Sequence, residues 1–311
     1  MAQFGRALRS GRRGRGFESR RFDKKSAVFP YGTFFNSGRL HGGLPGGEYY
    51  MKTLFFDIDG TILSEVTGNI PESTRKALQQ TKEKGNLTFL NTGRTWSELS
   101  EELRRLPCSG FLCGCGTYLR LGNEILLHRA IPEKECAEIS CFLIDKCADM
   151  ILEGTEDIYF PSWTSRFEGL EKTRRSFGRN GVGVQKSAET PGIVYDKFLF
   201  YTDGQTELSP LLQKFSEDYE VMDRRGGIYE AVPRGYSKGT AVHFALNYFA
   251  LSLQDAYVFG DSSNDLAMFQ CGAHTIAMGE HDPVLDPYTE YVTDLVEEDG
   301  IQKALEHFGL L

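Results

Sequence analysis

The 311-residue sequence has no segment approaching the ~20 consecutive apolar residues that a helix needs to cross a bilayer, which excludes a bundle of membrane-spanning helices. It also lacks a Cys-x-x-Cys pair, histidines at zinc-ligand spacing and a secretory apolar core, and it has no internal repeat or low-complexity tract. Its seven cysteines, all beyond residue 50, include one Cys-x-Cys pair, Cys113 and Cys115. An odd number of thiols scattered among apolar patterns reads as reduced cysteine in a cytoplasmic protein rather than as a disulfide framework. Cys113 and Cys115 read first as small residues in a tight turn, with a metal or redox role as the sharper alternative. Positive charge is scarce over most of the chain. The net charge of −8 combines residues 1–50, with ten Arg/Lys and three acids, and a remainder with 25 basic and 40 acidic residues, at −15. Such an acidic body argues against nucleic acid as a partner for residues 51–311, because phosphate backbones attract clustered Lys and Arg.

Residues 1–50 contain ten Gly and no sustained helical or strand period, a composition expected to stay disordered. Three readings apply: an organellar transit segment, since the stretch is Arg/Ser-rich and acid-poor; an Arg/Gly binding arm; or an upstream start codon ahead of a true start at Met51. The third is favoured. Met51 directly precedes an apolar strand, and Gly16-Phe17-Glu18-Ser19-Arg20 is the translation of a GG-TTC-GAA-TC stretch typical of a transfer-RNA gene.

From Met51 onward, short apolar runs alternate with helical stretches, which predicts an α/β fold with a parallel sheet. Leu54-Phe55-Phe56 is apolar throughout, as a strand covered on both faces would be. A helix is expected from Pro71 to Gly85, a strand over 87–90, and a helix carrying Trp96, Leu99, Leu103 and Leu106. The middle of the chain has an α+β texture, with an Arg/Gly-rich stretch at 166–183 that suggests a mobile loop near its glycines. From Ser237 the α/β alternation resumes. The expected division is a core of 51–130 and 228–311, interrupted by a small inserted domain at 131–227.

Four polar clusters stand at strand ends, where open α/β sheets bind their ligands. Asp57-x-Asp59-Gly60-Thr61 follows the first strand, and its two carboxylates repel each other, a reason to divide labour or to share a cation. Gly260-Asp261-Ser262-Ser263-Asn264-Asp265 follows another strand. Three or four oxygens from these two ends would suit a hard, water-rich cation such as Mg²⁺ better than Ca²⁺, although Asp265 could equally cap a helix. Thr92-Gly93-Arg94 offers a hydroxyl and N–H groups for phosphate at a helix start. Lys238 opens a helix, where its charge opposes the macrodipole, so a compensating anion is expected.

These four clusters, in this order, resemble the motifs of the haloacid dehalogenase superfamily, and the chain is similar over about 52–308 to its Cof-like phosphatase branch, type IIB cap. The resemblance implies a Rossmann-like, doubly wound core, an α+β cap over the active site, and Mg²⁺-dependent hydrolysis of small phosphorylated metabolites. It implies Asp57 as the nucleophile that forms an aspartyl-phosphate and Asp59 as general acid and base. Mg²⁺ would be held by Asp57, the Asp59 carbonyl and Asp261. Thr92, Gly93, Lys238 and Asn264 would bind the substrate phosphate, with Asp265 and Arg94 in support. A phosphomutase of the same superfamily is the nearest alternative, and a non-catalytic phospho-ligand-binding regulator a further one; dehalogenation has no use for the proton donor at Asp59. A monomer or small homo-oligomer is expected. Substrate identity should lie in the cap, where Tyr159, Trp163, Arg166, Arg174, Arg175 and Arg179 are candidates to meet a sugar, a flavin phosphate or pyridoxal phosphate.

Overall fold

The computed structural model describes residues 51–203, 206–271 and 274–311, together with two two-residue strands that pair antiparallel, β1 (Phe35–Asn36) and β2 (Arg39–Leu40). Apart from that pairing, the expectations for residues 1–50 lie outside the described residues. Among the described residues no helix is long and apolar enough to cross a membrane.

In chain order the first half of the core is β3 (Thr53–Phe56), α1 (Glu72–Glu83), β4 (Leu87–Asn91), α2 (Glu101–Arg104), β5 (Gly110–Cys113), β6 (Tyr118–Leu121) and β7 (Glu124–His128). The inserted unit follows as α3 (Glu133–Asp145), β8 (Asp149–Glu153), β9 (Ile158–Tyr159), α4 (Glu168–Gly178), β10 (Lys197–Tyr201), α5 (Leu208–Phe215), β11 (Tyr219–Asp223) and β12 (Ile228–Pro233). The core then resumes with α6 (Lys238–Phe249), β13 (Ala256–Gly260), α7 (Leu266–Phe269), β14 (His274–Ala277), β15 (Tyr291–Val292) and α8 (Gly300–His307).

The core sheet runs β15-β14-β13-β3-β4-β5-β6-β7, parallel from β15 to β5, with β6 and β7 added antiparallel at the edge. Strand β3 explains the uninterrupted apolar run. Leu54 and Phe56 pack with α1 and α8 on one face, while Phe55 packs with α6 and α7 on the other. Because side chains alternate along a strand, a sheet covered on both faces needs apolar residues at every position. The order reverses between β3 and β13, and that switch point carries Asp57 and Asp261 at adjacent strand ends.

The inserted unit is an antiparallel sheet of order β11-β12-β10-β8-β9. One face packs on α3 and α5, and part of the other on α4. Here the expected boundary is corrected: Ile228–Pro233 lies between β11 and β10 in the cap sheet, not in the core, so the cap extends through Pro233. The two strands β11 and β12 form one hairpin, and hydrogen bonding across it ties both to the same sheet. The Arg/Gly-rich stretch 166–183 is mostly helix α4, and the glycine loop expected at 178–183 follows it as a turn through Gly181 and Gly183 at positive φ.

Two expected helices are shorter than their patterns. The segment with Trp96, Leu99, Leu103 and Leu106 is a 3-10 turn, Trp96–Glu98, followed by α2, because Ser100 is extended and its hydroxyl accepts the Leu103 N–H at 3.3 Å as an N-cap. Leu99, Leu103 and Leu106 still reach the core. The helix expected over Asp265–Cys271 is the shorter α7, entered through a 3-10 turn, Ser263–Asp265.

Candidate active site

The centre of the site is a buried ion cluster. Asp57 follows β3 directly, and its N–H bonds the Phe259 carbonyl at 2.9 Å, which ties it to the neighbouring strand. Lys238 opens α6 and is fully buried. Its ammonium lies 2.7 Å from Asp57 Oδ1, 2.6 Å from Asp265 Oδ1 and 3.0 Å from Asn264 Oδ1. An ammonium has three donors, and all three are used. The anion expected to compensate this cation at a helix start is thus the Asp57/Asp265 pair. Burial alone would lower the Lys238 pKa, but the carboxylates of Asp265 and Asp57 outweigh it and hold the ammonium above its ordinary range. The lysine therefore orients and neutralises the nucleophile candidate.

Asp265 is spent on structure. Its Oδ2 accepts the N–H groups of Asp261 and Ser262, both at 3.0 Å, and its Oδ1 takes Lys238. That leaves Asp261 to face the cleft, held by the Thr61 hydroxyl at 2.9 Å. Ligand oxygens of Asp57, Asp261 and Asp265 all lie within 4.8 Å of one another. Burial, and then the neighbouring charges, push the Asp57 carboxyl up to about 7 and that of Asp261 up to about 8. Carboxylates crowded this way lack positive charge, and a divalent cation would supply it. The donor set is all oxygen, as Mg²⁺ requires. With both Asp265 oxygens engaged, Asp57 and Asp261 are the side chains of this cluster with oxygens left for an ion.

Glycine is needed where these clusters meet. Gly60 has φ +74°, and a Cβ there would stand 2.4 Å from Asp261 Oδ2. The Asp59 side chain is partly exposed at the mouth. Arg94 grips it with two hydrogen bonds, Nε to Oδ2 at 2.8 Å and Nη2 to Oδ1 at 2.5 Å. Of the two roles open to Arg94, substrate contact or partner of an acid, the geometry shows the second. Thr92 and Gly93 line the same cleft. The Thr92 hydroxyl accepts the Arg94 N–H at 3.1 Å, shaping the turn. Asn264 Oδ1 accepts from Lys238 and from the Ser262 hydroxyl, so its amide nitrogen is the end on the Gly93 side.

The sequence profile of the haloacid dehalogenase-like hydrolases matches residues 54–305. The chain belongs to this family. Among curated relatives of this hydrolase is the Bacillus subtilis protein named "Putative phosphatase YkrA", 28% identical over 265 residues that make up 84% of this chain and 98% of the relative. Another, the 5-amino-6-(5-phospho-D-ribitylamino)uracil phosphatase YcsE of the same organism, is 23% identical, covering 84% and 96% of the two chains. Among solved structures, the subclass IIB sugar phosphatase BT4131 superposes with a TM-score of 0.71 and 28% identity, over 84% of this hydrolase and all of that chain. The chain is therefore a phosphatase enzyme of the haloacid dehalogenase type.

The cap reading is corrected residue by residue. None of Tyr159, Trp163, Arg166, Arg174, Arg175 and Arg179 lines the cleft. Tyr159 is buried in the cap core. Trp163 donates to Asp149 at 2.7 Å, Arg166 pairs with Asp203 at 2.6 Å, and Arg174 bonds the Trp163 carbonyl at 3.1 Å. Arg175 and Arg179 are exposed at the end of α4. The cap instead contributes Glu153, Lys197, Leu199, Arg224 and Glu230 to a cleft of about 300 Å³. Their signal was present as charges interrupting apolar strands, Glu153 after Met150-Ile151-Leu152 and Lys197 before Phe198-Leu199-Phe200. Cys113 and Cys115 are buried free thiols, and burial pushes Cys115 up to about 12, which leaves it no thiolate for redox or metal chemistry at neutral pH.

Proposed function

We propose that this hydrolase is a Mg²⁺-dependent phosphatase of small phosphorylated metabolites that acts through an aspartyl-phosphate on Asp57. The observation that carries this reading is the buried Lys238 bridging Asp57 and Asp265 beside Asp261. It holds one carboxylate in a fixed orientation at the switch point, with a cation-poor acid next to it. Mg²⁺, when bound by Asp57, Asp261 and the Asp59 carbonyl, supplies the positive charge that lets an anionic phosphate approach a carboxylate.

The protein groups then divide the work. Asp57 attacks phosphorus, and its P–O bond forms as the bond to the leaving alcohol oxygen breaks. Thr92, Gly93 and the Asn264 amide position the phosphate oxygens, the kind of placement that carries most of phosphoryl transfer. Asp59 delivers a proton to the alcohol oxygen and later takes one from the water that opens the acyl-phosphate. Protonation of Asp59 removes its charge and makes one of its oxygens a donor, which weakens the two-point grip of Arg94 at the acid step. Sugar or polyol phosphates are the favoured substrate class, supported by the polar cleft and by the similarity to a sugar phosphatase and to a phosphoribityl phosphatase.

The test is Asp57→Asn. Mg²⁺-dependent phosphate release should fall by at least about 10³-fold with the fold intact by circular dichroism. Retained turnover of phosphate monoesters would refute the nucleophile assignment.

A further inference from the structure

The cap face above the site is a strand pattern with a purpose. In register, Lys197 pairs with Glu153, and Leu199 pairs with both Ile151 and Glu230, so Glu153, Lys197, Leu199 and Glu230 share one face of β8, β10 and β12. Helix α4 covers the far part of that face through Ile151 and Tyr201. The part it leaves uncovered opens into the cleft.

There the charges are arranged as a chain. Lys197, itself buried, pairs with Glu153 on one side and with Glu230 Oε1 at 2.7 Å on the other. Arg224 Nε donates to Glu230 Oε2 at 2.7 Å. Glu230 is therefore doubly compensated, and Lys197 and Arg224 outweigh its burial to bring its carboxyl down to about 2. Glu153 is less well served: burial and the charge of Glu98 push it up to about 8 against the pull of Lys197. On the core side Arg94 is taken by Asp59, while Glu98 from the 3-10 turn adds another acid. Among the described residues lining the cleft, every cation already sits on a carboxylate, and acids remain in surplus. Leu199 is the lone apolar lining side chain, and no aromatic ring lines the cleft.

From this arrangement we infer that Glu153, Lys197 and Glu230 form the leaving-group subsite, and that their charge balance selects monophosphates of neutral polyhydroxylated alcohols against substrates carrying a second anion. The inference rests on the phosphatase reading and adds the residues and the sign of the selection. Hydroxyl groups can donate to the Glu153 and Glu230 oxygens and accept from Lys197. A second carboxylate or phosphate would meet surplus acids and find no uncommitted cation, a cost that a buried site cannot screen. The absence of a stacking ring disfavours planar aromatic leaving groups in the same way.

The experiment compares sorbitol 6-phosphate with 6-phosphogluconate, open-chain substrates that differ by a terminal carboxylate, with p-nitrophenyl phosphate as a general probe of the chemistry. Wild-type kcat/KM should favour sorbitol 6-phosphate by at least about tenfold. Glu230→Gln, which keeps the shape and removes the ionised carboxylate that holds both Lys197 and Arg224, should shift that ratio toward 6-phosphogluconate by about tenfold by freeing charge on those two cations. Hydrolysis of p-nitrophenyl phosphate with equal turnover of the two polyol substrates, or a ratio unmoved by Glu230→Gln, overturns the subsite alone. Failure to release phosphate from p-nitrophenyl phosphate and from both polyols overturns the phosphatase reading and this inference with it.

Discussion

At the scale of single residues, three carboxylates in one site have been given different tasks by their neighbours. Asp57 is tied to a buried lysine, Asp59 to a partly exposed arginine, and Asp265 to two main-chain N–H groups. The chemistry follows those attachments rather than the residue type. Asp59→Asn keeps the contact shape but has no proton to give. Its kcat should fall by about 10²–10⁴-fold for alkyl phosphates and far less for p-nitrophenyl phosphate, whose leaving group needs no proton. Equal losses on both would remove Asp59 from the acid role. Gly60→Ala puts a Cβ into the Asp261 carboxylate and a side chain at φ +74°. A loss of about 1–2 kcal/mol in a urea titration, with a raised Mg²⁺ requirement, is the expected result. The motif positions themselves were legible in the sequence because each stands next to its strand. The attachments were not, since Arg94 reaches Asp59 across 35 residues and Lys238 reaches Asp57 across 181.

At the scale of elements, strand ends place the nucleophile and Asp261, and one helix start places the lysine. Helix α6 can bring Lys238 this deep because it lies close on α7: a Cβ on Gly239 would be 2.3 Å from the Ala267 carbonyl oxygen. Gly239→Ala should push the two helices apart, lowering stability by roughly 1–3 kcal/mol. It should also reduce kcat as the ammonium withdraws from Asp57; an unchanged melting temperature and rate would show that α6 has slack. Periodicity identified most strands and helices. It missed β5, a short apolar strand buried between β4 and β6, and β6 and β7 at the sheet edge, where mixed polar residues give little alternation, and it lengthened the helix that Ser100 caps into a short turn. In the cap, Arg and aromatic residues drew attention as substrate contacts, but α4 and its neighbours use several of them for packing and ion pairs.

At the scale of the whole molecule, an acidic body concentrates carboxylates at one switch point, and stability there should depend on pH and metal together. The Asp57 and Asp261 pKa values in the folded chain, about 7 and about 8, lie above the ordinary carboxylate value of about 4. The folded state thus favours their protonated forms. As pH rises from that ordinary value through 7 to 8 the metal-free protein loses the benefit, so its melting temperature should fall between about pH 4 and 8 and level off above. Mg²⁺ should raise the melting temperature more at pH 8.5 than at pH 6, because at the lower pH it must displace protons. An equal Mg²⁺ effect at both values in a thermal denaturation series with and without EDTA would contradict the assignment. By itself the sequence determined the α/β alternation, the inserted cap and the four motif clusters, because each is written in contiguous residues with a local period or a strand-end position. Only the tertiary structure decided that β12 belongs to the cap, that Lys238 meets Asp57, and that Glu153, Lys197 and Glu230 line the cleft. Those facts depend on which strands hydrogen-bond side by side and which charges meet in a buried space, and neither is encoded within any one stretch of chain.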